Sequence, residues 1–190
     1  MTWPARIGVG VAILAALAAG HAIDAGVPVD DTDDRPFVHT AGVGDRVQLT
    51  YADVTVDAVR TAKTLAASQF QIGTPGRWLV VDVTVVAWRH PLTKPGVSLE
   101  DARGRSFGTD SRTGYSWETA PTGVPWRTAI PFEVPQDGLQ GATLVFSRSA
   151  LDDRRDDVAR IDLGIGPGDV TRLWRTEDTI EIRQPEIGSS

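Results

Sequence analysis

The chain has 190 residues, a formal net charge of −6 at pH 7 and no cysteine. Nucleic-acid binding requires a basic face that displaces counterions from phosphates, so this charge balance argues against a nucleic-acid partner. The lack of cysteine excludes disulfides, thiol catalysis, thiolate metal sites and a lipidated cysteine anchor.

The first predicted element is an apolar run at residues 7–23, between Arg6 and Asp24. A helix of this length spans about 26 Å, slightly less than the ~30 Å hydrocarbon core of a bilayer. The run is rich in alanine and glycine, so its insertion into the membrane is marginal. We predict that residues 1–24 form a signal anchor, with a cleaved signal peptide as the alternative.

Two features bear on these alternatives. Gly20 and Ala22 offer the small residues that precede a signal-peptide cleavage point, but the apolar run is longer than usual for a signal peptide. Acidic residues follow the run and are concentrated at 30–34, whereas Arg6 precedes it. This order predicts a single-pass protein of the cell membrane with its C-terminal domain outside, or a secreted protein if the segment is cleaved. Residues 25–41 are predicted to be an acidic flexible linker.

Beyond the linker the sequence predicts strands. The clearest is at residues 78–88, where Leu79, Val81 and Val83 alternate with residues of the opposite face. Pro131 indicates an edge strand or a bulge. The other predicted strands are at residues 46–51, 54–59, 97–101, 105–107, 128–134, 142–147, 159–163, 170–174 and 179–183.

Many short strands between glycine- and proline-containing loops predict an all-β fold, an antiparallel immunoglobulin-like β-sandwich, over residues 42–184. Residues 185–190 are predicted to be a disordered tail. Helical periodicity is weak after residue 24, apart from a turn at 151–158. The longest irregular segment is the loop at 108–125, and loops of this length are often functional or mobile.

The succession of motifs also resembles a known family. The motifs are Trp78-Leu-Val-Val-Asp-Val-Thr-Val, Leu99-x-Asp101-x-x-Gly104-x-x-Phe107, Phe132-Glu-Val-Pro135 and Leu144-Val-Phe146. Over residues 42–147 they resemble bacterial extracytoplasmic domains of unknown function with an immunoglobulin-like, telokin-like sandwich. That group is similar to a small secreted immunogenic protein of mycobacteria. The resemblance implies an anchored protein without known catalysis.

The composition agrees with this resemblance, and the sequence departs from the family pattern at two points. The chain has two lysines among nineteen basic residues and no asparagine, which suits the GC-rich coding of an actinobacterial envelope protein. Trp88 stands where the family usually closes the long strand with a polar residue. No lipobox cysteine is found, so the helix at residues 7–23 is the predicted anchor.

The sequence offers few residues that could form a catalytic site. His21 lies in the apolar run, His39 in the predicted linker and His90 in a loop, so no Ser/His/Asp arrangement is predicted. The acidic clusters at 30–34 and 152–157 do not match the twelve-residue calcium loop. We predict no enzyme activity, no metal and no cofactor, with a secreted hydrolase as the less favoured alternative.

The predicted binding residues are Tyr115, Trp117 and Trp126, in or next to the loop at 108–125. Aromatic side chains in loops often anchor partners, because they bury a large area at low entropic cost. Packing over the end of the sandwich is the alternative role for these rings. The predicted function is a non-catalytic binding or envelope-complex support module, and the alternative is a carbohydrate- or ligand-binding sensor. The expected partner is an envelope or membrane protein, or a cell-wall glycan.

Overall fold

The computed structural model describes residues 37–67, 70–151, 157–182 and 185–188. The predicted membrane segment at 7–23 and most of the predicted linker lie outside these residues. Within the described ranges, no helix has the length and apolar character needed to cross a bilayer.

The described residues form two β-sheets. The strands are β1 (Phe37–Gly42), β2 (Arg46–Gln48), β3 (Ala52–Ala67), β4 (Phe70–Ala87), β5 (Gly96–Glu100), β6 (Ser106–Phe107), β7 (Trp126–Val134), β8 (Thr143–Ser147), β9 (Asp157–Asp162), β10 (Thr179–Glu181) and β11 (Glu186–Ile187). One sheet has the order β1-β9-β8-β5-β6, and the other has the order β10-β3-β4-β7-β11 with β2 also paired to β3. The β1–β9 and β10–β3 pairs are parallel, whereas the remaining pairs are antiparallel. The predicted all-β, sandwich-like class is confirmed.

The main core lies between the two sheets. The alternation predicted within residues 78–88 is confirmed, because Leu79, Val81, Val83 and Val85 all face this core. Side chains of the other sheet meet them there, and these include Leu99, Leu144, Phe146, Ala159 and Ile161. Burial of this apolar surface stabilises the fold without disulfides.

A second apolar cluster covers part of the opposite face of β4. Trp78 and Val80 are fully buried there against Ala62, Leu65 and Ile180. The parallel pairing of β10 with β3 brings Ile180 opposite Leu65. The middle of β4, at residues 77–81, is therefore buried on both faces, although its sequence pattern predicts burial on one.

The strand predicted at residues 170–174 is wrong. Residues Pro167–Trp174 form the helix α1. Pro167 stands at the first helical position, where its fixed φ suits a helix, and the Asp169 carboxylate accepts a hydrogen bond from the Gly166 N–H at 3.2 Å. These start signals outweigh the strand preference of the valine, threonine and tryptophan that follow.

Two predicted boundaries also need correction. Strand β1 starts at Phe37, inside the segment predicted as linker, because it pairs with β9 along its whole length. Strand β11 lies inside the segment predicted as a disordered tail and pairs with β7 at Trp126 and Arg127. Both segments gain order from neighbours that are distant in sequence. The turn predicted at 151–158 falls mostly outside the described residues.

Pro131 lies in a stretch of β7 that is paired with a strand on one side only, although β7 itself stands between β4 and β11. Strand β7 pairs with β4 along its length, and Pro131 lies opposite Val80. On its other side β7 meets β11 at two residues, and a single bridge joins Thr109 to Phe132. A proline here removes no hydrogen bond from a central ladder.

The turn after β5 is built around a buried carboxylate. Gly104 has φ 75° and its N–H donates to the Asp101 carbonyl at 2.9 Å. The Asp101 side chain accepts hydrogen bonds from the Arg103 and Arg105 N–H groups and from the Arg105 guanidinium. Burial raises the pKa of Asp101, but the hydrogen bonds from Arg105 and Arg103 together lower it by a larger amount. The pKa of Asp101 therefore lies below its ordinary value.

We expect acid to remove the stabilisation that Asp101 contributes. Because its pKa is lower in the folded chain than in the unfolded chain, the contribution is complete above about pH 4 and is lost as the pH falls through the folded pKa. Asp101→Asn should therefore be less stable near neutral pH and should lose less stability on acidification. Thermal unfolding measured between about pH 6 and about pH 2 tests this. Parallel curves for the two proteins would contradict it.

Candidate functional site

Trp117 and Trp126, two of the predicted binding residues, lie together against the core. Trp126 starts β7 and is 4% exposed. The Trp117 ring lies 4.6 Å from the Trp126 ring and 5.7 Å from the Phe146 ring, measured between centroids. The Trp117 indole N–H donates to the Leu92 carbonyl at 3.1 Å. These contacts leave little of Trp126 for a partner to touch.

Tyr115, the third predicted binding residue, is also packed against the core. The hydroxyl oxygen of Tyr115 is buried. Burial raises the pKa of Tyr115 to about 12, against a smaller lowering by the Thr128 hydroxyl. The expected open surface shared by all three rings is not found in the described residues, and this placement favours packing.

A different surface lies where β1, the β2–β3 turn and the end of β4 meet. It is a depression of about 330 Å³ next to Trp88. We call it the Trp88 surface, and its polar side chains are His39, Gln48, Thr50, Arg89 and Asp157. In the sequence, Trp88 departs from the family pattern and His39 lies in the predicted linker.

His39 and Asp157 form a hydrogen-bonded pair in this surface. The parallel register of β1 and β9 sets Phe37 opposite Asp157 and brings the His39 imidazole near. Asp157 Oδ1 lies 2.8 Å from His39 Nε2, and Oδ2 accepts the Thr50 N–H at 2.6 Å. Both carboxylate oxygens are therefore occupied.

Arg89 has a strained backbone. Its φ of 55° makes it the non-glycine residue with positive φ in the described part of the chain. The flanking N–H groups are hydrogen-bonded, that of Trp88 to the Tyr51 carbonyl at 2.8 Å and that of His90 to the Trp88 carbonyl. A left-handed conformation costs a residue with a Cβ about 1–2 kcal/mol. This tight turn presents Trp88, which is 40% exposed, beside the exposed Arg89 side chain.

Arg89→Gly is expected to keep or raise the free energy of unfolding by up to about 1 kcal/mol, because glycine adopts positive φ without strain. The control is Arg148→Gly, at an exposed arginine that does not have positive φ. The control should lose about 0.5–1 kcal/mol through unfolded-state entropy. Urea denaturation measures both, and equal losses would show that Arg89 is not strained.

A larger depression, of about 570 Å³, adjoins the other side of Trp88. It is lined by Arg46, Asp53, Thr55 and Thr84 among others. Asp53 is 3% exposed and accepts a hydrogen bond from Arg46 through Oδ2, while Oδ1 has no hydrogen-bond partner among the described residues. Trp88 therefore stands between two depressions, of which the smaller is lined mainly by polar residues and the larger also by Val86, Ala87 and Pro125.

A further depression, of about 630 Å³, lies over the outer face of the second sheet. Asp82 accepts two hydrogen bonds there from the Arg60 guanidinium, at 2.6 and 2.7 Å. Asp57 accepts the Thr84 hydroxyl at 2.6 Å. Such paired side chains are typical of a solvated sheet face.

The His39–Asp157 pair is of the kind found in hydrolytic triads, which combine such a pair with a nucleophile. In the described part of the chain, the hydrogen bond of the His39 side chain goes to Asp157, and no hydroxyl group donates to the imidazole. A triad also needs a nucleophile bonded to the base. Within the same residues, no three His, Cys, Asp or Glu side chains converge as metal ligands would.

Two β-sheets that pack around one core define this chain as a β-sandwich protein. Trp88 lies half-exposed at one end of the sandwich. No protein-family model and no curated protein matches the chain. The structure is similar to the yjhA protein from Bacillus subtilis, with a TM-score of 0.46 and 13% identity over 64% of this chain and 99% of that one. It is also similar to an uncharacterized β-sandwich protein from Clostridium difficile 630, with a TM-score of 0.44 and 7% identity over 67% of this chain and 95% of that one.

Proposed function

We propose that this protein is a non-catalytic binding module of the bacterial cell envelope. The sandwich would be immunoglobulin-like and held outside the membrane by the helix at residues 7–23. The motifs that resemble extracytoplasmic domains over residues 42–147 support the family, and the scarcity of lysine and the lack of asparagine support an actinobacterial source. The order of charges around the apolar run supports the orientation.

The observation that carries this proposal is the Trp88 surface. Trp88 exposes 40% of its surface, and Arg89 has no ion pair with any described residue. A strained residue in such a position points to a role for its side chain, because glycine would satisfy the backbone at lower cost. An exposed tryptophan next to an unpaired arginine is the composition that binding hot spots favour.

The partner proposed for this surface is an envelope component, either a protein or a cell-wall glycan. Binding is favoured over hydrolysis, because among the described residues no hydroxyl group is hydrogen-bonded to His39 as a nucleophile would be. A secreted hydrolase is the second candidate, and it rests on the His39–Asp157 pair alone.

A pull-down of the tagged full-length protein from crosslinked membranes tests the proposal. The wild-type chain is expected to recover an envelope component that the Trp88→Ala/Arg89→Ala variant loses. The matched control is Phe70→Ala/Arg175→Ala, which removes an aromatic ring and an arginine that are both exposed, at the opposite end of β4 and after α1. Equal recovery by wild type and the Trp88/Arg89 variant would overturn the proposed surface. Recovery of nothing above background would overturn the binding role.

The anchor is tested separately by fractionation and mass measurement. An intact chain in the membrane fraction is expected, because residues 7–23 would remain as the tether. A mature protein in the medium that lacks residues 1–22 would show that the segment is a cleaved signal peptide.

A further inference from the structure

We propose that the Trp88 surface binds an acidic saccharide, with a sugar ring stacked on the Trp88 indole and a sugar carboxylate paired with Arg89. The inference rests on the binding role proposed above and names the ligand class for the same surface. Three observations lead to it: the exposure of the ring, the polar groups around it, and the unpaired charge beside it.

The exposure of Trp88 sets it apart from the tryptophans of the core. Trp78 is 0% exposed and Trp126 is 4% exposed, whereas Trp88 is 40% exposed between two depressions. Their volumes of about 330 and about 570 Å³ lie in the range of small-molecule sites. An indole offers a flat apolar face, which matches the C–H face of a pyranose ring.

The polar side chains around Trp88 suit the hydroxyl rim of a sugar. Gln48 and His39 carry planar groups that donate and accept hydrogen bonds, and Thr50 adds a hydroxyl. In the larger depression Thr55 and Thr84 line the wall. A ligand with an apolar face and many hydroxyls can use both the ring and these groups, whose remaining donor and acceptor capacity an apolar ligand would leave unused.

The charge in the smaller depression points to an acidic sugar. Asp157 has both oxygens engaged, by His39 and by the Thr50 N–H. Among the described residues Arg89 makes no ion pair, so its guanidinium is the charge that remains open to a ligand. A guanidinium matches a carboxylate in geometry and pairs with it more strongly than with a neutral hydroxyl.

The test uses two probes that differ in the carboxylate. One is the tetrasaccharide of alternating N-acetylglucosamine and N-acetylmuramic acid, whose lactyl ethers carry carboxylates. The other is chitotetraose, which has the same N-acetylated sugar rings without them. Calorimetric titration of the full-length protein in detergent micelles measures the affinity for each. The wild type is expected to bind the acidic probe about tenfold or more tightly than chitotetraose.

Two variants separate the roles of the ring and the charge. Trp88→Ala should lose measurable binding of both probes, because the stacking face is gone. Arg89→Ala should bind the acidic probe about tenfold more weakly and should leave the affinity for chitotetraose unchanged. The control Phe70→Ala/Arg175→Ala should bind like wild type.

Three results would overturn the inference. These are no binding of either probe by the wild type, unchanged binding by Trp88→Ala, and equal affinity of the wild type for the two probes. If the pull-down recovers an envelope protein through Trp88 and Arg89 while neither sugar binds, the binding role stands and the saccharide inference fails. If the pull-down recovers nothing and neither sugar binds, both fail.

Discussion

Trp126→Ala is expected to lower the free energy of unfolding by about 3–5 kcal/mol. The ring is 4% exposed, pairs in register with Val85 of β4 and packs 4.6 Å from the Trp117 ring. Truncation removes a large apolar surface and leaves a cavity next to Trp117, which the two sheets close only in part. Guanidinium denaturation of the wild type and the variant measures the loss.

The control for Trp126 is Trp88→Ala, which deletes the same side chain where it is 40% exposed. The control is expected to lose about 1 kcal/mol or less, since most surface substitutions have small effects. Similar small losses for both variants would show that Trp126 is not a core residue. Such a result would leave Trp126 a candidate binding residue, as its sequence position predicts.

Trp78→Ala is expected to cost a similar amount, about 3–5 kcal/mol, through the second apolar cluster. Trp78 is 0% exposed, and its indole N–H donates to the Ile72 carbonyl at 2.9 Å. The cluster buries Ile180 of β10, a three-residue strand that pairs with β3. Hydrogen exchange should therefore show the Ile180 amide losing protection together with the global loss of stability.

The control for Trp78 is Trp78→Phe, which keeps most of the apolar ring and removes the indole N–H. It should lose about 1–2 kcal/mol, because the Ile72 carbonyl loses its donor. Protection of the Ile180 amide should be largely retained in this variant. An equal loss of unfolding free energy in both variants would assign the effect to the hydrogen bond. Unchanged protection of the Ile180 amide in Trp78→Ala would show that the apolar cluster does not stabilise β10.

Local sequence patterns predicted the strands that supply the core. Residues 78–88 alternate with period two, and the inward set within β4 is the one the pattern indicates. Pro131 indicated a strand with an open side, and the stretch of β7 around it pairs with β4 on one side and makes a single bridge on the other. These predictions succeed because the pleat of a strand assigns each residue to a face regardless of which strand lies beside it.

The helix α1 shows where local preference misleads. Valine, threonine and tryptophan at residues 170–174 favour a strand, whereas Pro167 and Asp169 are helix start signals. The strand prediction for residues 170–174 follows from the first set alone. The segment is too short for helical periodicity to be evident, and the preceding proline and aspartate carried the better signal.

The predicted binding residues were chosen for aromatic composition and for their loop position. Composition does not tell whether a loop folds back on the core, and the loop at 108–125 does so through Trp117. Trp88 had a usable signal in sequence, since a tryptophan followed by Arg89, His90 and Pro91 ends a strand in a loop. That signal indicated exposure, but it did not identify the residues that surround the ring.

The sequence by itself determined the strand faces, the lack of disulfides and the β-rich class, because each follows from residue type and local spacing. Only the tertiary structure decided which residues share the Trp88 surface. His39 and Asp157 are 118 positions apart and meet because β1 pairs in parallel with β9. A period-two pattern places a residue on a face of its own strand and carries no information about the neighbouring strand, so this pairing could not be predicted from either segment alone.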